Sequence, residues 1–199
     1  MSSTSSSTST GNAAPLLCEA CIDGDTKRVR RRISKLFGDN VNQRSGEFLW
    51  TPLMPALKNG HLHIARLLMR EGTDVTLKHS GGATLIHMSL GCGQVDVTLW
   101  AIEQGAAKGW GVNDQDNTGW TPLMVGVQDG TIDVCTLLLS KGSDPSIRTN
   151  DGQGLIHLAA VRGFERSIDF ALELGSNVND VNNKGITALM ISANLGQPP

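Results

Sequence analysis

One set of residues recurs along the chain at a nearly constant interval. Thr51, Thr84, Thr121, Gly154 and Thr187 are separated by steps of 33, 37, 33 and 33 residues. A glycine follows nine residues after each, at Gly60, Gly93, Gly130, Gly163 and Gly196. A second glycine follows 21 residues after the first four, at Gly72, Gly105, Gly142 and Gly175. Three markers in one register define a repeat, and a period in this range restricts the chain to architectures in which like units stack in a row. The 37-residue step has a local source: Lys108, Gly109, Trp110 and Gly111 are additional to the run found in the sister units.

Each unit reads as two short helices and a projecting loop. In the pentapeptide Trp-Thr-Pro-Leu-Met, present at 50–54 and 120–124, threonine is an N-cap and proline suits the first helical position, where its missing N–H would have no partner. The apolar run after it stops at a glycine, giving a first helix of about nine residues. In the second, Leu62, Ile64, Ala65, Leu67 and Leu68 share one face, with His63, Arg66 and Arg70 outside it. The turn-rich stretch after Gly72 is expected to project as a hairpin. Helices this short are marginal alone, so they must draw stability from the units on either side.

The chain resembles the ankyrin repeat family, whose opening is Asp-x-x-Gly-x-Thr-Pro-Leu-His-x-Ala. The fullest copy is Asp116–Gly130, and His87 and His157 stand at the family's histidine position. The expected fold is therefore all-α, an ankyrin-repeat solenoid of stacked helix-turn-helix units with projecting β-hairpin loops. It comprises residues 15–199, five repeats and an incomplete sixth, after a disordered serine/threonine tail over 1–14. The first unit keeps Leu17, Ala20, Gly24 and Asp25 and carries more charge, as a capping repeat would. There are departures from the pattern. Leu49 replaces the glycine before x-Thr-Pro-Leu and the segment around it is lengthened, so the first hairpin is expected to be irregular. Pro55 lies just inside a helix start, and Gly154 replaces a capping threonine. The sixth unit stops at Gly196 without a second helix, as in a fragment, a half-repeat cap, or a stack that a partner completes.

Composition narrows the function. Lys and Arg total 17 against 19 acidic residues, a net charge of -2 that exerts no overall pull on nucleic acid or anionic membrane. No run of 18 apolar residues is present and the first residues lack the features of a signal or transit peptide. Four cysteines in a chain with 39% apolar residues do not make a disulfide framework, so a reducing cytoplasmic location is expected, with the nucleus as alternative.

Several constellations admit two readings. Cys18 and Cys21 form a C-x-x-C, but Cys92 and Cys135 supply no second pair, and Cys18, Cys21 and Cys135 fall where small core side chains are expected. His61 and His63 lack a third ligand. His87 and His157 lack a neighbouring nucleophile, and the resemblance implies that they bond to hairpin backbone. No catalytic group, metal or cofactor is therefore expected. The run Lys27-Arg28-Val29-Arg30-Arg31-Arg32-Ile33-Ser34-Lys35 reads as a capping helix with Val29, Ile33 and Leu36 inward, or as a nuclear-import or RNA-binding patch. Phosphorylation of the Ser2–Thr10 tail would place negative charge near that helix.

The resemblance implies that the chain is not an enzyme but a protein-binding adaptor or scaffold working through hairpin tips and first-helix ends. In register, these are Trp50, Lys58 and Asn59; then Ser80, Gly91 and Cys92; then Asn117, Thr118, Trp120, Gln128 and Asp129. Arg148, Asn150, Asp151, Val161 and Arg162 follow, with Asn183 and Lys184 last. Trp50 and Trp120 serve either as interface anchors or as packing against the next hairpin. Trp110, flanked by glycines in the insertion, is expected either as an exposed aromatic finger or as local packing for the lengthened loop. The partner is another protein, with no small-molecule substrate or membrane and with nucleic acid disfavoured. The alternatives are a nuclear or RNA-associated regulator acting through the basic first unit, and the regulatory part of a larger enzyme.

Overall fold

The computed structural model describes residues 13–36, 41–91, 93, 95–106 and 111–196. Met1–Asn12, Cys92, Lys108, Gly109 and Trp110 lie outside the described residues, and with them the expectations for the tail, for Trp110 and for Cys92 as a contact residue.

Eleven α-helices are described: α1 (Ala13–Ile22), α2 (Thr26–Ile33), α3 (Leu53–Lys58), α4 (Leu62–Arg70), α5 (Leu85–Leu90), α6 (Val95–Ala106), α7 (Pro122–Asp129), α8 (Ile132–Ser140), α9 (Leu155–Arg162), α10 (Glu165–Glu173) and α11 (Ala188–Asn194). They pair as α1/α2 through α9/α10, with α11 opening a sixth unit. The first helices pack in series from α1 to α11, so each unit leans on its neighbours. Among the described residues there is one core running through every unit, from Leu17, Ala20 and Val29 through Leu53, Leu85 and Leu123 to Leu155 and Ala188. This is the ankyrin-type solenoid the repeat implies.

The start and stop signals act locally, with two exceptions. Thr121 and Thr187 accept the Met124 and Met190 amides at 3.4 Å, and Asp25 accepts that of Arg28 at 3.0 Å. Thr51 does not cap in this way: α3 begins one residue later than expected, after Pro52, with no capping side-chain bond. Between the helices of a unit the chain turns at left-handed glycines, Gly60 (φ +75°), Gly130 (φ +74°) and Gly163 (φ +64°). The second exception is α6, which at 12 residues runs through Gly105 to Ala106, where α4 ends before Gly72.

The projecting loops are closed by backbone hydrogen bonds without extended strands; the described residues hold only the isolated bridges Ser45–Trp50 and Val181–Thr187. In four loops the amide of His79, Asp116, Thr149 or Asn182 donates to the carbonyl four residues on. The first loop spans five, from Ser45 to Trp50, which is the irregularity expected from its added residue. Leu49 there has φ +52°, the sole non-glycine with positive φ among the described residues, whereas Gly82, Gly119, Gly152 and Gly185 hold the same place at +72° to +85°.

Candidate interaction surface

Adjacent loops are stitched into a ladder. The amides of Ser80, Asn117, Asn150 and Asn183 donate to Phe48, Gly81, Thr118 and Asp151 of the preceding loop, at 2.9–3.0 Å. The Asn117, Asn150 and Asn183 side-chain amides add bonds of 2.9–3.0 Å to the carbonyls of Ser80, Asn117 and Asn150. These asparagines pass over the glycine of the previous loop so closely that a Cβ on Gly82 would meet Asn117 Oδ1 at 2.3 Å, and one on Gly119 the Asn150 nitrogen at 2.5 Å. Leu49 holds the same place in the first loop, and the loop after it carries Ser80 where the later loops carry Asn117, Asn150 and Asn183. Asn117 and Asn150, singled out above for partner contact, thus spend their side-chain donors on the stack.

The remaining sequence-derived residues fall into small groups. Asp129 and Arg162, on consecutive first helices, form an ion pair of 3.5 Å, and burial lifts the Asp129 carboxyl above its ordinary range against the pull of Arg162. Arg148 pairs with Asp180 at 2.8 Å and donates to the Gly152 carbonyl at 3.0 Å. Thr118 donates through its amide and hydroxyl to Asp116, at 2.8 and 2.6 Å, shaping its loop. Asp151, Asn183 and Lys184 are exposed, Gln128 and Val161 half-buried. Asn59 donates to the Pro55 carbonyl at 2.9 Å. Trp50 and Trp120 are both half-buried and packed against the core, so each combines packing with an accessible edge.

The structure brings one group together into a shaped site. Phe48, Trp50, Lys58, His79, Met88 and Gly91 line a groove of about 410 Å³ between the second and third units. The Lys58 ammonium stands 4.9 Å from the Trp50 ring centre, a cation–π distance, and Phe48 is 61% exposed. His79 Nδ1 accepts the Gly81 amide at 2.6 Å, and burial lowers its pKa, against the raising influence of Asp116, so the imidazole stays neutral near neutrality. The groove is therefore aromatic with one cation on its lining. At equivalent positions between the third and fourth units stand Gly81, Ala83, Gly91, Asp116, Val125 and Gln128, with neither aromatic nor cation. Sequence reasoning found Trp50, Lys58 and Gly91 but missed Phe48, His79 and Met88. The repeat register would have supplied them had the loop-tip and mid-helix columns been aligned across neighbouring units.

The other candidate chemistry resolves into structure. Cys18, Cys21 and Cys135 are free and buried, and burial raises all three thiols, Cys21 and Cys135 to about 12, which suppresses the nucleophilic thiolate. His87 Nε2 lies 2.9 Å from the Trp120 carbonyl of the next unit, and His157 Nε2 3.1 Å from that of Ile186. His61 reaches back to the Ile22 carbonyl at 3.1 Å. Among the described residues no group of three or more His, Cys, Asp or Glu could hold a metal ion. No described helix is long and apolar enough to cross a membrane. In α2, Val29 is buried and Ile33 packs on the core, while Lys27, Arg28, Arg30 and Arg31 are exposed; in the turn after it Leu36 packs on the core and Lys35 is exposed.

Comparison with known proteins agrees with this geometry. A family profile for ankyrin repeats in three copies matches residues 53–149 and 130–199, and the chain belongs to the ankyrin repeat family. A putative palmitoyltransferase ZDHHC13 of Danio rerio is 29% identical over 185 residues, which is 92% of this chain and 28% of that protein. The palmitoyltransferase ZDHHC13 of Homo sapiens is 33% identical over 177 residues, 87% of this chain and 27% of that protein. A putative ankyrin repeat protein of fowlpox virus is 28% identical over 130 residues, half of this chain and 29% of that protein. The chain thus spans only 28% and 27% of these two palmitoyltransferases.

Proposed function

We propose that the chain is a non-catalytic protein-recognition module, an adaptor or scaffold of the cytoplasm or nucleus, that takes an extended segment of a partner protein along its loop tips and first-helix ends. The supporting observation is the aromatic and cationic groove of Phe48, Trp50, Lys58, His79 and Met88, which the next pair of units does not repeat. Its rings offer area at little torsional cost, and Lys58 favours a segment with a carboxylate beside an apolar side chain. The test is selection of displayed random peptides on the full chain, followed by Kd measurement. Selected peptides should be acidic and apolar, and Trp50→Ala with Lys58→Glu should weaken them at least tenfold while Arg166→Ala leaves them unchanged. Peptides of other character, or equal affinity for the double variant, would refute it.

A second reading is favoured by the relatives, which match 92% and 87% of this chain inside proteins called palmitoyltransferases. In it the stack is the recognition part of a larger acyl-transferring enzyme whose chemistry resides in other residues. The raised, buried thiols Cys21 and Cys135 agree, being poor acyl acceptors. Reading the open frame beyond Pro199 and assaying the resulting protein for acyl transfer decides it.

A further inference from the structure

We infer that the basic face of α2 is a docking site for the chain's own serine/threonine segment once that segment carries phosphoserine. Three observations converge on it, none drawn from the groove. First, α2 presents Lys27, Arg30 and Arg31 to solvent on one side of the helix, and Lys35 is exposed in the turn that follows it. Among the described residues, only Arg28 of the six cations at 27–35 forms an ion pair, with Asp23, while Lys27, Arg30, Arg31 and Lys35 are exposed and Arg32 is half-buried. Three arginines, Arg30, Arg31 and Arg32, crowd the last turn.

Second, the fold carries the attachment point of the segment to that end of α2. A three-residue connection at 23–25 makes α1 and α2 an antiparallel hairpin, closed by the Asp25 amide donating to the Ala20 carbonyl at 3.2 Å. With about 1.5 Å of rise per residue, the N-terminus of α1 lies level with the C-terminus of α2. The chain entering α1 therefore arrives beside the arginines. Third, Ser2–Thr10 is an unbroken run of hydroxyl side chains without a single charge. Twelve residues reach roughly 40 Å at full extension, several times the length of α2, so the segment can lie along the whole basic face.

In the modification, a protein kinase transfers the γ-phosphoryl group of ATP to a serine Oγ: the Oγ–P bond forms, the bond to ADP breaks and the hydroxyl proton passes to solvent. Each phosphoserine adds a charge of about -1.5 to -2 and three acceptor oxygens, which arginine guanidinium groups can pair bidentately. Tethering makes the contact intramolecular, with an effective concentration on the millimolar scale.

The test uses the full chain with phosphoserine installed at Ser7 and Ser9 and follows backbone amide resonances by NMR. The expected result is shifts confined to residues 27–35 and their neighbours, unchanged on tenfold dilution. They should vanish near about 0.5 M salt, where screening is strong, and in the Arg30→Glu/Arg31→Glu variant, whose two positions are exposed and whose helical circular dichroism should match the parent. Absence of shifts, shifts that fade on dilution as contact between two copies requires, or shifts that survive charge reversal would each overturn the assignment.

Discussion

At the scale of single residues, two positions break the rule their repeat column obeys, and each break has a measurable cost. The Ser167 hydroxyl is buried in α10 without a hydrogen-bond partner, where α4, α6 and α8 carry the buried Ile64, Val97 and Val134. An unpaired buried hydroxyl costs about 1–3 kcal/mol, so Ser167→Val should raise stability by about 1 kcal/mol, a melting-temperature rise of about 2–4 °C by calorimetry. Leu49 is the second, held at φ +52° where the sister loops use glycine. A left-handed conformation costs a non-glycine residue about 1–2 kcal/mol, part of which Leu49→Gly returns as unfolded-state entropy; the net gain should be about 0.5 kcal/mol. Ser80→Asn alone should destabilise, since its side chain would press on the Leu49 Cβ. Combined with Leu49→Gly it should stabilise by completing the ladder, a coupling of about 1 kcal/mol in a double-mutant cycle. Leu49 was legible in the sequence as an exception. That the following loop places Ser80 opposite it was not, because that pairing arises only across neighbouring loops.

At the scale of the element, the position three residues after each helix-start threonine decides how tightly a unit is tied to the next. Met54 and Met124 Sδ accept the Thr51 and Thr121 amides at 3.4 Å, and His87 Nδ1 accepts that of Thr84 at 3.2 Å, so each of the three side chains reaches back to the amide three residues before it. Only the imidazole has a second polar atom, which His87 uses on the Trp120 carbonyl. His87→Met should therefore keep the helix and lose one inter-unit bond, about 1 kcal/mol. The same substitution tests a pH effect. Burial, offset in part by the Trp120 carbonyl and nearby carboxylates, depresses the His87 pKa below 6.5. The unfolded chain then binds the proton more readily, so this contribution to stability is complete above pH 6.5 and is lost as pH falls through the folded-state value. Chemical denaturation at pH 7 and pH 5 should show a larger loss in the parent than in His87→Met; equal losses would place the titration elsewhere. Helix existence and pairing were readable from capping residues and apolar spacing. The extension of α6 past Gly105 and the uncapped start of α3 were not, because both depend on where neighbouring segments let a turn form.

At the scale of the molecule, stability is a sum of units and the contacts between them, so the same residue type weighs differently by position. Leu123 in the fourth unit is 1% exposed, and its counterpart Leu189 in the sixth is 62% exposed. Leu123→Ala should cost about 2–5 kcal/mol and Leu189→Ala under about 0.5, as midpoint shifts in urea unfolding. Comparable losses would show that the units do not respond as a linear array. The sequence alone determined the period, the two-helix unit and the order of stacking, because each follows from spacing and from the few backbone conformations that Thr-Pro and Gly allow; the histidine bridges were implied by the resemblance to ankyrin repeats. Tertiary structure decided what the columns do together. It assigned Asn117 and Asn150 to a ladder, joined Asp129 to Arg162, and assembled Phe48, Trp50, Lys58, His79 and Met88 into one groove. These are contacts between residues about one period or less apart, and their strength depends on distances between stacked units that no single unit encodes.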